Sequence, residues 1–219
     1  MIEGKHYELK FSEETIFTNY LRSISKSFCP FLGPSENKNL LYATQYSLSG
    51  SDIKELQSQM FYYGVIHTEK LRKMRRSIPN KGDSLLVCEN VIFKLPEELQ
   101  CIDGKELFSW PHWTLKTLYT DVGVMFGKFW VGEKDTSRDN IPITEPPSNF
   151  FSIRSAIKTS DPYFFKKAPQ LLPTLINSFD DVRDIHTHLL PGNCSIDDFQ
   201  SMNEHNYYDV ALEWAKKFI

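Results

Sequence analysis

Residues 110–130 read WPHWTLKTLYTDVGVMFGKFW, and this stretch decides the fold because a helical pattern passes directly into a strand pattern. The spacing of His112, Leu115 and Tyr119 places them on one face of a helix, so we predict a helix over residues 110–120. Three tryptophans accompany the histidine. A histidine among aromatic rings is a candidate cofactor ligand, and it is also an ordinary core residue.

The second half of the stretch, residues 122–131, predicts a strand in which two glycines recur at the spacing of one face. That face carries Gly123, Met125, Gly127 and Phe129. A strand face that lacks two side chains admits something bulky close to the backbone. A packed helix fills such a space most often, and a planar cofactor with His112 as its axial ligand is the alternative.

Outside this stretch, apolar residues recur with helical spacing in some segments and with strand spacing in others. Helices are predicted after Ser12, after Asp52, at residues 68–77, from Pro96, and from Asp161 to about Phe179. Further strands are predicted over residues 40–48, 84–93 and 150–157.

These elements follow one another without a strict βαβ rhythm. We therefore predict an α+β fold, in which a single mixed or antiparallel sheet is covered by helices. A chain of 219 residues suits one sizeable core. We predict a single globular domain over residues 1–219, with a C-terminal helical tail at about residues 195–219.

Charge and cysteine patterns exclude several classes of function. The net charge of −3 argues against nucleic acid as a partner. We interpret one basic cluster as the solvated face of a helix, and it consists of Lys70, Arg72, Lys73, Arg75 and Arg76. The four cysteines form no CxxC pair, which argues against zinc ribbons and thioredoxin-like chemistry.

Motifs for common chemistries and for membrane targeting are missing from the sequence. No GxGxxG or GxxxxGK[ST] phosphate loop occurs, and neither does GxSxG or HExxH. The first residues lack the apolar core of a signal peptide, and no run of eighteen apolar residues follows. We therefore predict a cytoplasmic protein with no membrane segment.

Two other sets of residues could ligate a metal. Cys29 precedes a proline that could present its thiolate to haem iron, although a buried small residue is the commoner role of such a cysteine. His186 and His188 are spaced to point the same way on a strand, as in the opening of histidinol-phosphatase-like metallohydrolases. Only 31 residues follow His188, so a surface connection is the favoured interpretation.

Arg154 stands at the centre of an otherwise apolar predicted strand, where an unpaired charge is costly. Two interpretations remain open. Asp161 or another carboxylate neutralises it structurally, or it binds a substrate carboxylate or a haem propionate.

Taken in order, these residues resemble a bacterial domain-of-unknown-function family. Its pattern is CPF, His-x-x-x-Lys, a Gly-x-Met-x-Gly-x-Phe strand, a proline loop, and an Ile-Arg strand ending in Asp-x-x-Phe. The matching residues are Cys29-Pro30-Phe31, His112 with Lys116, Gly123 to Phe129, Pro146-Pro147, and Ile153-Arg154 with Asp161 and Phe164. The family strand usually continues Phe-His-Pro, whereas Trp130-Val131 follows here.

That family is distantly similar to the YqcI/YcgG-like proteins, some of which are haem-dependent N-oxygenases. The resemblance implies a haem b oxygenase of a biosynthetic pathway, which hydroxylates or oxidises a small amine or an amino-acid-derived substrate with an external electron donor. It is also compatible with a homodimer. It implies His112 as the iron ligand, Met125, Phe129 and Trp113 as pocket wall, and Arg154 and Lys116 on an anionic group. The alternative is a non-catalytic module that binds a small molecule or a protein in the same pathway.

Overall fold

One five-stranded mixed sheet forms the centre of the structure, a computed structural model that describes residues 4–137, 140–165, 168–185 and 206–218. Its strands are β1 (Lys5–Glu8), β2 (Leu41–Ser47), β3 (Cys88–Lys94), β4 (Val124–Phe129) and β5 (Asn149–Ser155). Their order across the sheet is β1-β2-β3-β5-β4. β2 and β3 are parallel, and the other neighbouring strands are antiparallel. The predicted α+β class with a single mixed sheet is confirmed.

The helices cover this sheet. They are α1 (Ile16–Ser27), α2 (Leu32–Asn37), α3 (Ile53–Ser77), α4 (Lys81–Ser84), α5 (Gly104–Leu107), α6 (Ser109–Thr120), α7 (Leu172–Ile176) and α8 (Asn206–Ala215). Short 3₁₀ segments lie at Glu97–Leu99, Asp161–Phe165, Pro169–Leu171 and Lys216–Phe218. Among the described residues, no helix is both long and apolar enough to cross a membrane.

The two faces of the sheet bury different helices. On the first, which we call the α3 face, Val91, Phe126, Phe151 and Ile153 pack with apolar side chains of α3 and α6. On the second, the α1 face, Ala43, Ile92 and Phe150 pack with apolar side chains of α1. Because strand side chains alternate, the face of each residue on β4 and β5 follows from its register.

Several predicted elements differ from the structure. Gly123 lies in the turn before β4 with a φ of +65°, where it is not part of the strand face that we predicted for it. The helix predicted after Asp52 and the one predicted at residues 68–77 form the single helix α3, since no breaker separates them. The cap predicted at Ser12 is supplied instead by Thr15, whose hydroxyl accepts from the backbone of α1.

Two further differences concern the first strand and the region that follows Asp161. β1 was not predicted, because its four residues KHYE carry little apolar content and form a strand only by pairing with β2. The helical region predicted from Asp161 is broken into two 3₁₀ segments and α7. α8 lies within the predicted C-terminal tail, and residues 186–205 are outside the described residues.

Candidate functional site

His112 lies at the edge of the sheet that β4 forms. It lies on α6, beside the edge strand β4, and its Nε2 is 3.0 Å from the backbone oxygen of Phe126. A carbonyl can only accept, so Nε2 carries the proton. The ring faces Phe151 on the α3 face, with centroids 6.4 Å apart. Burial and then the charge of Lys128 lower the pKa of His112 to about 3, so its imidazole is neutral at pH 7.

Met125, Gly127 and Phe129 point to the opposite face of the sheet from His112. Phe129 stacks on Phe150 of the α1 face, with centroids 4.7 Å apart. A Cβ at Gly127 would lie 2.7 Å from the Phe129 ring, so this ring fills the space left by the glycine. The sheet therefore separates the predicted axial ligand from two residues of its predicted pocket wall.

Arg154 pairs with Asp161, the carboxylate that the first of the two sequence interpretations named. Its two terminal nitrogens donate to the two carboxylate oxygens of Asp161 at 2.8 and 2.7 Å. Asp161 is buried, and it also accepts from the backbone N–H of Ile157. The guanidinium lies 5.3 Å from the centre of the Phe31 ring. Both charges are thereby neutralised within the protein.

Lys116 and Trp113 lie near the 3₁₀ segment Asp161–Phe165. The ammonium of Lys116 donates to the backbone oxygen of Phe164 at 2.8 Å and lies 4.2 Å above the Phe165 ring. Burial and then the charge of Lys128 lower the pKa of Lys116 to about 8. Trp113 packs, half-buried, against the cluster that contains Met125 and Phe165.

These positions do not form a haem site. Coordination by Nε2 of His112 would break its bond to β4, and Arg154 already pairs with a carboxylate. Cys29 packs, half-buried, with the apolar residues of the α1 face. Within the described residues, no group of three or more histidine, cysteine or carboxylate side chains could hold a metal ion. His186 and His188 lie outside the described residues.

Comparison with protein-family models, with curated proteins and with solved structures finds no match for this chain. The resemblance to the bacterial family and to the YqcI/YcgG-like proteins therefore stays a prediction.

A buried carboxylate that the sequence did not mark as functional lies on the α3 face. Oε1 of Glu89 accepts from Thr44 Oγ1 at 2.7 Å, and it lies 3.1 Å from Nδ1 of His67 and 3.5 Å from Nδ1 of His6. Burial alone raises the pKa of Glu89, but the two neighbouring histidines and the hydrogen bond from Thr44 outweigh it and hold the pKa at about 2. Glu89 is therefore ionised at neutral pH.

Tyr46 extends this network into the core. Its hydroxyl lies 2.7 Å from Nε2 of His67, and its ring stacks on Tyr63. Burial, followed by the nearby Tyr63 and Glu89, raises the pKa of Tyr46 to about 12, so the phenol keeps its proton. The five residues of this network, which we call the Glu89 network, are His6, Thr44, Tyr46, His67 and Glu89. The one signal in the sequence was a carboxylate inside the apolar run VCENVIF.

An open cleft of about 640 Å³ lies on the α1 face, at the N-terminal end of α1. Its floor crosses three strands and includes Tyr7, Gln45 and Ile92. Glu13, before α1, and Ser148, before β5, also line the cleft. The sheet separates this cleft from the Glu89 network, so the two are distinct features.

Proposed function

We propose that the protein is a non-catalytic binding module whose ligand is a small organic amine held in the cleft on the α1 face. The cleft itself is the observation that carries this proposal. Its volume of about 640 Å³ falls within the range of roughly 300–1,000 Å³ found for small-molecule sites.

The lining of the cleft combines an apolar floor with a few charged groups. Ile92 and Phe17 contribute buried apolar surface, and the half-buried Tyr7 adds an aromatic ring. Sites for small organic molecules have this composition, because apolar contacts supply affinity and a few polar groups fix orientation.

The charges favour a cationic ligand. Glu8, Glu13 and Lys5 are the charged residues among those that line the cleft. Glu8 has a partner, since its Oε1 lies 3.7 Å from Nζ of Lys10. Burial and then the charge of Glu13 raise the pKa of Tyr7, which places this carboxylate close to the floor. Glu13 is therefore the group that we expect to meet an amine.

A thermal-shift series tests this proposal with primary aliphatic amines, and with carboxylic acids and neutral amides of the same chain length. A ligand at a hundred times its Kd stabilises the folded state by about 2.7 kcal/mol. Each kcal/mol raises the Tm by about 2–4 °C for a chain of this size. We expect amines to raise the Tm by about 5–10 °C near saturation and the other two classes to have little effect.

Matched variants locate the site. Ser148→Trp should fill the cleft and abolish the shift, whereas Thr144→Trp, in the same loop and exposed, should leave it unchanged. Glu13→Gln should weaken amine binding, and Glu14→Gln, its exposed neighbour outside the cleft, should not. Equal shifts with acids and amines, or a full shift in Ser148→Trp, would contradict the proposal.

A further inference from the structure

Tyr46 on β2 combines two contacts that together favour loss of an electron. Its hydroxyl lies 2.7 Å from Nε2 of His67, and its ring stacks on Tyr63 with centroids 3.7 Å and planes 16° apart. Nδ1 of His67 is 3.1 Å from an oxygen of Glu89, which can only accept a hydrogen bond. With its proton on Nδ1, on the side of this carboxylate, His67 presents Nε2 to the phenol as an acceptor.

We propose that Tyr46 is the preferred site of one-electron oxidation in this protein and that His67 accepts its phenolic proton as the electron leaves. One electron passes from the ring to an outer-sphere one-electron oxidant, the O–H bond of Tyr46 breaks, and an N–H bond forms at Nε2 of His67. The products are a neutral phenoxyl radical, an imidazolium and the oxidant reduced by one electron. On reduction the proton returns, so none leaves the protein.

Glu89 makes this proton transfer favourable. The imidazolium formed on His67 would be costly in a buried site without a counter-charge. Glu89 is 3% exposed, is ionised, and already faces Nδ1. Proton transfer to His67 therefore places the imidazolium 3.1 Å from the Glu89 carboxylate, and a low-polarity environment strengthens the attraction of this ion pair. The hydrogen bond from Thr44 holds the carboxylate in position.

Tyr119 is the natural comparison within the same chain. It is also buried, and its hydroxyl donates to Oε1 of Glu69 at 3.0 Å. A carboxylate is a weaker base than imidazole by about two pK units. Arg72 donates to the same carboxylate oxygen at 2.9 Å, so this oxygen is already engaged in an ion pair. The proton of Tyr119 therefore has no comparably basic acceptor in Glu69.

Oxidation at Tyr46 requires no opening for a substrate, because electron transfer needs proximity and not contact. The backbone of Gly4 lies directly over the Tyr46 ring, where a Cβ would overlap the ring atoms. Only 8% of Tyr46 is exposed to solvent. The ring is thus close to the surface and shielded from water and other reactants.

The test uses the purified full chain, a ruthenium tris-bipyridine complex as photo-oxidant, and persulfate as the terminal electron acceptor. Electron paramagnetic resonance of samples frozen after a brief illumination should show a phenoxyl radical coupled to an imidazole nitrogen. We expect Tyr46→Phe to lose this signal and Tyr119→Phe to retain it. His67→Gln should lose the nitrogen coupling and lower the yield of radical.

Three outcomes would overturn the proposal. They are an undiminished phenoxyl signal in Tyr46→Phe, loss of the signal in Tyr119→Phe, and a wild-type radical that shows no imidazole nitrogen coupling. The last is measured on the unaltered chain and does not depend on whether any variant folds. Circular dichroism of each variant shows whether a lost signal reflects lost structure.

Discussion

His67 and His112 lie on helices that pack against each other and against the same face of the sheet, yet the charges around them differ. His67, on α3, has Nδ1 3.1 Å from the buried carboxylate of Glu89. His112, on α6, donates to a backbone carbonyl and has Lys116 and Lys128 as charged neighbours, both of which oppose its protonation. One region supports a positive charge on its histidine, and the other resists it.

This difference separates two roles for a histidine that packs against the sheet. The Nε2–H of His112 bonds a backbone carbonyl of the edge strand β4. That carbonyl is then not available to pair with a strand of another chain. Around His67 both nitrogens have polar neighbours of opposite character, Glu89 and the Tyr46 hydroxyl. A proton can be stored or moved only in the second arrangement.

Removal of the carboxylate should have the largest effect on stability. Glu89→Gln keeps the shape of the side chain but removes the charge that three donors address, so we expect a loss of about 2–3 kcal/mol in the free energy of unfolding. Urea unfolding at pH 7 measures this. The matched change Glu98→Gln, at an exposed carboxylate, should cost less than about 0.5 kcal/mol. Equal losses in both variants would mean that the Glu89 network contributes nothing special.

The fold was predictable where local sequence determines it. The cap at Asp52 and the helix over residues 110–120 follow from nearby residues, and the structure contains both. Tertiary pairing decides the rest. Arg72 belongs to a cluster predicted to be solvated, but it is 2% exposed. Its partner Asp180 is 108 residues away in the chain, so no local charge pattern could reveal the pair.

The same limit applies to the candidate sites. His112 stands out in the sequence because aromatic residues accompany it in one short stretch, and in the structure two of them, Trp110 and Trp130, are partly buried against the core of the α3 face. The members of the Glu89 network come from β1, β2, α3 and β3, and their spacing along the chain predicts nothing. A charged residue inside an apolar strand is the informative signal, and it marks Glu89 on β3 as well as Arg154 on β5.

Mild acid should expose the cost of keeping His112 neutral. Its folded pKa of about 3 lies below the unfolded value of 6.5, so below pH 6.5 the unfolded state binds a proton that the folded state does not. Stability is therefore lost as the pH falls. Because the ring is partly exposed, we expect a loss of about 1–2 kcal/mol between pH 6.5 and 4.5. Glu89 contributes only at the acid end of this window and in the same direction, since its unfolded carboxyl, with a pKa of 4.5, begins to bind a proton there.

A variant without His112 separates the contribution of this histidine to the pH dependence of stability from that of other titrating groups. Glu133 acts in the opposite direction, because burial and then Asp135 raise its pKa to about 7 and acid stabilises its folded form. We therefore compare the pH dependence of wild type with that of His112→Gln, whose amide can still donate to Phe126. The variant should lose less stability than wild type as the pH falls. Parallel curves would show that His112 titrates freely and that its environment resembles that of His67 more than the structure indicates.

The smallest effect is expected when haem is added, because His112 should not bind the iron. An axial bond to Nε2 would remove the donor to Phe126 and leave an edge carbonyl without it, while the sheet still separates the ring from Met125 and Phe129. We expect that haem titrated into the apoprotein gives the same absorption spectrum with wild type and with His112→Ala. A Soret band that shifts or vanishes in the variant would show that α6 rearranges to free the imidazole. The two histidines would then exchange roles, with His112 as the reactive residue and His67 as the structural one.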